Sequence, residues 1–294
     1  MSETILNYIK DKRPNISKSS LKTYESILRN LYDKMGWETK NYNMEFFDKE
    51  PEKVLKYLKD LPSNKRKTVL SALVVITDNK AYRELMIDDI KEYNKEQAKQ
   101  EKPDNDNWVE HDELDKIYKV LRHNASLLYK KETLNNTDLQ EIQNYIILTL
   151  FNGEYIPPRR SKDYVNFKIK NIDKEKDNYI NKNSFIFNSY KTAKTYGQQQ
   201  VEIPKQLKTI LNKWIKVNPT DYLLFDSNNK PLSNVKLNQR LNKLFGKKAG
   251  VNQMRKTFLS NKYQPLIEMN RDLEKTMNEM GTSRNQENIY IKKT

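Results

Sequence analysis

Residues 184–205 read SFIFNSYKTAKTYGQQQVEIPK, and this stretch decides the fold class. Polar and apolar residues alternate around Phe185 and Phe187 and again over 199–203, which predicts two strands with one buried face each. Tyr196-Gly197 predicts the turn between them. An earlier stretch, 165–172, alternates in the same way. We therefore expect a small three-stranded antiparallel sheet inserted into a chain whose other segments have helical spacing.

Helical spacing is clearest between Leu21 and Met35, where apolar residues recur at steps of three and four. Ser19 or Ser20 is expected to cap the start of that helix, and Gly36 to end it. The fold class predicted is mainly α with a small antiparallel β-sheet. Further helices are expected at 3–12, 51–60, 63–77, 80–95, from Asp112, over a buried 138–151, after Pro204, and at 233–246, 251–263, 265–280 and 285–291.

The polar stretch 96–107, EQAKQEKPDNDN, has one proline and no large apolar side chain, so it predicts a linker. It separates a helical domain at 1–95 from a second domain at 108–294. Of the net charge of +15, only +2 lies in residues 1–107 and +13 lies in 108–294. Such an excess on one domain is typical of proteins that bind a polyanion.

Composition excludes several classes of site. The chain has no cysteine and only two histidines, His111 and His123, which rules out disulfides, thiolate zinc sites and cysteine nucleophiles and argues against a histidine-rich metal site. No apolar run approaches the ~18 residues of a membrane span, and no signal-peptide core is present. We expect no cofactor, no membrane association and an intracellular, reducing location, with nucleus, cytoplasm and viral factory left open.

Four segments in a fixed order resemble the catalytic boxes of the tyrosine recombinase (phage-integrase-like) family. RRSKDYVNFKIKNID (159–173) is similar to its first arginine box. Arg160, with Asp163 three residues later, fits that register best, and Arg159 is the alternative. The hairpin quoted above resembles the family's lysine hairpin, with Lys191 at the matching position and Lys194 as second choice.

The other two boxes lie near the C-terminus. VNQMRKTF (251–258) looks like the His-x-x-Arg box, with Arg255 as the second arginine. MGTSRNQENIY (280–290) resembles the Met-Gly-His…Tyr box, with Tyr290 as nucleophile. Asn252 and Thr282 stand where the family has a histidine and a histidine or tryptophan. ISKSSLKTYESILRNLY (16–32) looks like the family's core-binding (SAM-like) domain, so the resemblance covers nearly the whole chain.

This resemblance implies site-specific DNA recombination through a covalent 3′-phosphotyrosine intermediate, without metal or cofactor. Two arginines would clamp the phosphate oxygens, Lys191 would protonate the leaving 5′ oxygen, and Tyr290 would attack. Asn252 cannot accept a proton at neutral pH but can donate a hydrogen bond to phosphate. The catalytic set is therefore Arg160, Lys191, Asn252, Arg255, Thr282 and Tyr290. The residues expected to contact DNA are Arg159, Lys194, Lys65, Arg66, Lys67 and Lys256.

Alternatives remain open at this point. A degenerate recombinase would hold DNA without cutting it, a type IB topoisomerase would relax supercoils by related chemistry, and a structural nucleoid-like protein would explain the charge but not the ordered boxes. The composition, rich in Lys, Asn, Ile and Tyr, and the threonine at position 282 are similar to those of integrase-like proteins of mobile elements or large DNA viruses. Double-stranded DNA is the expected partner. Only four residues follow Tyr290, so we expect a monomer in solution that assembles to a tetramer on DNA.

Overall fold

The computed structural model describes residues 2–38, 42–98 and 107–283. The chain divides into two compact units, Met1–Pro103 and Asp104–Thr294. Helices form most of both units, and the second unit contains one small sheet. The predicted fold class is confirmed. Within the described ranges, none of the helices combines the length and apolarity needed to cross a bilayer.

The first unit is helical throughout its described residues. Ser17 caps the helix Lys18–Lys34 (α2) by accepting a hydrogen bond from the Ser20 backbone N–H, so the prediction of Ser19 or Ser20 as the cap is wrong, and both lie inside the helix; Gly36 follows the helix, as predicted, with a φ of 70°. An aromatic cluster of Tyr32, Trp37 and Phe47 lies in its core. The helices are α1 (Ser2–Lys12), α2 (Lys18–Lys34), α3 (Phe46–Lys49), α4 (Pro51–Lys59), α5 (Ser63–Ile76) and α6 (Lys80–Ala98).

The second unit is built around the helix Asn136–Phe151 (α8), whose residues from Tyr145 to Phe151 are all buried. A capping box of Asn135 and Asp138 starts this helix. Its elements are α7 (His111–Leu128), α8 (Asn136–Phe151), α9 (Ser161–Val165), β1 (Tyr179–Asn181), β2 (Ser184–Phe187), α10 (Ala193–Tyr196), β3 (Gln199–Glu202), α11 (Lys205–Val217), α12 (Asn234–Phe245) and α13 (Val251–Glu279).

The sheet has the order β1-β2-β3, with both pairs antiparallel, and its register places Phe187 opposite Gln199. The prediction of a first strand at 165–172 is wrong. That segment begins in α9 and then forms only isolated bridges at Lys168, and Tyr179–Asn181 supplies the first strand. Its alternation arises because Val165 and Phe167 are buried in the core, while their backbone pairs with no continuous strand.

The prediction of two helices at 251–263 and 265–280 is also wrong, because α13 continues through Pro265 without a break. A proline inside a helix removes one backbone hydrogen bond and strains the preceding turn, so a boundary was expected there. The helix expected at 285–291 lies outside the described residues.

Candidate active site

The segment between α8 and α9 carries two neighbouring arginines with different surroundings. Arg159 donates from Nε to Oδ2 of Asp163 at 2.7 Å, and its side chain is 19% exposed. Arg160 is exposed at the N-cap position of α9. Among the described residues, no hydrogen bond or ion pair engages the Arg160 guanidinium, so its donors are available to a ligand.

Strand pairing holds Arg159 in place. The register sets Phe187 beside Gln199, and the Arg159 guanidinium contacts both: its carbon lies 4.0 Å from the Phe187 ring centre, and Nη2 donates to Gln199 Oε1 at 2.9 Å. Tyr190 lies on the same side, with its ring centre 5.6 Å away. Arg159 is thus fixed by a carboxylate, an amide and two rings, which is the arrangement of a positioning residue.

A third arginine reaches the same place from the start of α13. Val251, Met254 and Thr257 bury one face of that turn, and Thr257 donates its hydroxyl to the Val109 carbonyl at 2.6 Å. Arg255 lies on the neighbouring face. Together with Arg159 and Arg160 it lines a cavity of about 340 Å³.

Close packing behind Arg255 fixes this helix against the end of α8. Gly153 has a φ of 82°, and a Cβ added there would lie 2.2 Å from the Phe258 ring. Only glycine permits both the backbone conformation and this approach. Arg255 therefore projects from a helix whose position is set by two contacts of its first turns, at Thr257 and Phe258.

Among the residues that the structure describes, Asp163 is the one acidic residue that lines this cavity. Burial raises its pKa above the ordinary value for an aspartate, while Arg159, Arg160 and Arg255 act in the opposite direction. Its Oδ1 atom is buried and has no hydrogen-bond partner within the described ranges. The site therefore combines three cations with one buried carboxylate, a net positive charge suited to an anionic ligand.

A buried asparagine connects this arginine segment to the lysine segment. Asn178, 2% exposed, donates its amide to the carbonyl oxygens of Asp163 and Ser189, both at 2.8 Å. Its Oδ1 accepts the backbone N–H groups of Asn188 and Ser189 at 2.8 and 2.7 Å. All four hydrogen-bonding positions of the side chain are used, so Asn178 fixes the chain that leads into Lys191.

Lys191 itself is exposed between Tyr190 and Thr192, two residues that line the cavity, although its own side chain is not part of the lining. The Tyr190 hydroxyl donates to the Gly197 carbonyl at 2.7 Å and closes this short loop. Lys194 is exposed on α10. The structure thus brings the lysine segment to the rim of the arginine cavity.

Asn252 and Lys256 line a second cavity, of about 270 Å³, with Ser161 and Lys248. Ser161 directly follows Arg160, and Asn252 lies one helical turn before Arg255, so the two cavities adjoin along this segment. Asn252 is exposed, and no described residue holds its side chain.

Thr282 is not brought to the arginine cavity. The 25 residues from Arg255 to Glu279 belong to one continuous helix, which rises about 36 Å over those 24 steps. After it, the Thr282 N–H donates to the Met277 carbonyl at 2.9 Å in the turn at Gly281, whose φ is 73°. Tyr290 lies outside the described residues.

In the first unit, the three predicted DNA contacts differ from one another. Lys65 has no described partner. The Arg66 guanidinium is paired with the buried Asp89, with Nη2 to Oδ1 at 2.5 Å, which connects α5 to α6. The Lys67 ammonium lies over the ring of Tyr93. Arg66 therefore has a structural partner inside its own unit.

Sequence reasoning missed Gln199, Asn178, Tyr190 and Thr192. No motif marks Gln199 or Asn178, because their partners are 10 to 40 positions away in the chain, and Tyr190 and Thr192 were passed over as mere neighbours of Lys191. Asp163 was noted only for its spacing from Arg160, and its pairing with Arg159 was not foreseen. Within the described residues, no grouping of three or more His, Asp or Glu side chains is arranged to hold a metal ion.

No protein-family model and no curated protein matches the chain. Solved structures do match. The XerH site-specific recombinase bound to its difH substrate in a pre-cleavage complex is 15% identical, with a TM-score of 0.49, over 90% of this chain and 75% of that one. Its post-cleavage complex on a palindromic difH substrate is 14% identical, with a TM-score of 0.48, over 90% and 74%. The XerA recombinase is 15% identical, with a TM-score of 0.35, over 88% and 82%. These structural neighbours are recombinases.

Proposed function

We propose that this chain is a DNA strand transferase of the tyrosine recombinase kind, which cleaves and rejoins double-stranded DNA through a covalent 3′-phosphotyrosine. The observation that carries the proposal is the cavity of about 340 Å³ at which Arg159, Arg160 and Arg255 meet, although Arg255 lies 95 residues after Arg160 in the chain. Three guanidiniums at one small cavity suit a phosphodiester, because bidentate N–H donors match phosphate oxygens.

The residues divide into roles by their contacts. Arg160 and Arg255, without ion-pair partners among the described residues, would bind the two non-bridging oxygens, on which charge develops during transfer. Arg159, already held by Asp163 and Gln199, would position the loop. Asn252 would donate a further hydrogen bond from the adjoining cavity.

The chemical step is a transesterification. The Tyr290 phenol gives up its proton to solvent as its oxygen forms a bond to phosphorus, the bond from phosphorus to the 5′ oxygen breaks, and Lys191 supplies the proton that the 5′ oxygen takes. Rejoining reverses each bond change. Because one phosphodiester replaces another, no metal, nucleotide or oxidant is consumed.

A covalent-adduct assay tests the chemistry. A pool of randomised duplexes, each with a nick that lets the cleaved fragment diffuse away, should yield a protein–DNA adduct that survives denaturation. Tyr290→Phe removes one oxygen and should abolish the adduct while leaving duplex affinity nearly unchanged. An adduct at the wild-type level from Tyr290→Phe would refute the assignment of the nucleophile.

A sulfur substitution separates the general acid from the clamp. When the leaving 5′ oxygen is replaced by sulfur, the departing thiolate needs no proton. Lys191→Ala should therefore cleave the sulfur substrate almost as fast as wild type while failing on the oxygen substrate. Arg255→Ala should fail on both substrates. Equal defects of Lys191→Ala on the two substrates would remove Lys191 from this role, and Lys194→Ala would then be tested in the same way.

A second candidate is a DNA-binding protein that has lost cleavage. It is favoured by Asn252, which replaces a proton acceptor, and by the position of Thr282 at the far end of α13. Both candidates predict duplex binding that weakens steeply with salt, because bound lysines and arginines release counterions from the phosphates. The adduct assay distinguishes them: binding with a steep salt slope but no adduct under any condition favours the second.

A further inference from the structure

The outer half of α13 presents apolar side chains to solvent. All nine residues from 261 to 269 are exposed, and they include Tyr263, Leu266, Ile267 and Met269 at 41, 52, 43 and 68%. Leu259, one turn earlier, is 50% exposed. We call these five residues the α13 seam. Exposed apolar residues that are scattered singly are ordinary, whereas five large ones within eleven consecutive positions of one helix form a group that can serve as an interaction surface.

The spacing of the seam is that of a helix that packs along another helix. Leu259, Tyr263 and Leu266 follow one another at steps of four and three, and the same alternation continues through Asn270 and Leu273 to Met277. Such a 3–4 repeat places one narrow apolar stripe on one side of a helix. Met277 is already buried, so the accessible part of the stripe ends before it.

The sequence of this part of the helix contributes little to its helical stability. Pro265 lies inside it and cannot donate a backbone hydrogen bond. Most helical stability in proteins comes from packing of an apolar face, and the four large apolar side chains within 261–269 each leave 41–68% of their surface in solvent. A partner along the seam would supply the missing stabilisation.

Charge indicates which partner fits. The stretch 259–280 carries three basic residues, Lys262, Arg271 and Lys275, against four acidic ones, Glu268, Asp272, Glu274 and Glu279. It is therefore close to neutral in a chain of net charge +15. A near-neutral apolar stripe is unsuited to a phosphate backbone, and there two strongly basic chains can touch without bringing like charges into direct contact.

We propose that the α13 seam docks against the same seam of a second copy of this chain, related by a twofold axis. In a twofold contact one self-complementary stripe suffices, and helix-on-helix packing is what the 3–4 repeat provides. Five side chains on one helix are far fewer than the roughly 20–30 residues a side of a stable interface. The pairing is therefore weak in free solution and becomes strong when two copies are bound to one DNA molecule. This contact does not require the strand-transfer chemistry.

Cysteine cross-linking tests the contact cleanly, because the chain has no cysteine of its own. We would introduce Tyr263→Cys, Leu266→Cys and Met269→Cys one at a time and treat each full-length variant with a flexible bis-maleimide. The seam is only about 15 Å long, so a twofold axis anywhere along it brings at least one pair within reach. Any cross-linked dimer joins two chains, since each chain has a single thiol. Val235→Cys, 64% exposed on α12, is the matched control.

The expected result is at least tenfold more dimer from one seam variant than from Val235→Cys at tens of micromolar protein, and a further increase on duplex DNA. Leu266→Glu should lower the association measured by sedimentation at least tenfold, while Val235→Glu should leave it unchanged. Cross-linking equal to the control, with and without DNA, would overturn the proposal. Slow maleimide labelling of Leu266→Cys at nanomolar concentration would also overturn it, because another part of the same chain, and not a second copy, would then cover the seam.

Discussion

Two arginine–aspartate pairs, one in each unit, are nearly the same by distance and burial. In the first unit, Arg66 and Asp89 are 2.5 Å apart, with side chains 18 and 2% exposed. In the second, Arg159 and Asp163 are 2.7 Å apart, with side chains 19 and 4% exposed. Judged by these numbers alone, the two pairs would be given the same role.

The difference lies in how completely each aspartate is satisfied. Arg66 donates from Nε and Nη2 to both oxygens of Asp89, and the pair connects two helices across 23 residues of chain. Arg159 donates from Nε to Oδ2 of Asp163 and from Nη2 to Gln199. Among the described residues, Oδ1 of Asp163 has no partner, and it lies beside a cavity that two further arginines line. We call a pair closed when both oxygens of the aspartate are bonded and open when one of them is not. A closed pair holds helices together, whereas an open pair beside unpaired cations marks a binding site. Four measurements test that distinction.

The largest effect is expected from opening the closed pair. Arg66→Ala leaves the buried Asp89 carboxylate unpaired, which should cost about 3–5 kcal/mol in the free energy of unfolding of the first unit. Hydrogen exchange of the α5 amides in denaturant measures this unit alone. Arg83→Ala, an exposed arginine of α6, is the control and should change stability by no more than about 0.5 kcal/mol. Duplex affinity lost without loss of stability would instead restore Arg66 to the DNA interface.

Around the open pair, the free arginines should matter most for chemistry. Arg160→Ala and Arg255→Ala should each lower the rate of adduct formation by about 10²–10³, the usual effect of removing one donor to a transition-state oxygen. Arg159→Ala should lower it about tenfold, because its donors are already used by Asp163 and Gln199. Single-turnover rates on the nicked duplex decide the order. If Arg159→Ala has the largest defect, the first arginine box must be moved by one residue.

The contributions of Asp226 and Asp163 to the free energy of unfolding should change with pH in opposite directions. Hydrogen bonds, first from Lys236 and then from backbone N–H groups, lower the pKa of Asp226 to about 2, so its contribution is present above its unfolded pKa of ~3.9 and is lost as pH falls through about 2. Burial raises the pKa of Asp163, so its contribution is present below ~3.9 and is lost as pH rises through the folded pKa.

Urea unfolding of wild type, Asp226→Asn and Asp163→Asn between pH 3 and 7 measures the stability contribution of each aspartate. The stability of wild type minus that of the variant should rise with pH for Asp226→Asn and fall with pH for Asp163→Asn. Slopes of the same sign would mean that the three arginines outweigh burial at Asp163, and that the second pair is as closed as the first.

The smallest effect is expected from an exposed ion pair whose N–O distance is similar to those of the two buried pairs. Lys119 and Asp115 are 2.6 Å apart on α7, with side chains 64 and 44% exposed. Lys119→Ala should leave the urea midpoint of unfolding almost unchanged, because water and salt screen exposed charges. A loss comparable to that of Arg66→Ala would show that distance, not burial, sets the strength of these pairs.

Much of the fold was predictable from local pattern. The spacing of apolar residues predicted α2, α8 and the last two strands, and the caps predicted where α2 ends, because these features depend on neighbours within one or two turns. The strand predicted at 165–172 failed because burial of alternate side chains does not require a partner strand. The helix boundary predicted at Pro265 failed because one missing hydrogen bond does not by itself end a helix.

For the site, the sequence alone determined which residue types are present and in what order: paired arginines, a hairpin lysine, a third arginine and a late tyrosine. Only the tertiary structure decided that Arg159, rather than Arg160, holds Asp163, that Asn178 connects the arginine and lysine segments, and that Arg66 is used inside its own unit. Arg159 lies only four residues from Asp163, but Gln199, 40 positions away, also holds its guanidinium, and the other two outcomes depend on contacts between residues 10 to 23 positions apart. Side-chain periodicity reports only which face of an element is buried, so it carries no information about which distant donor meets which acceptor.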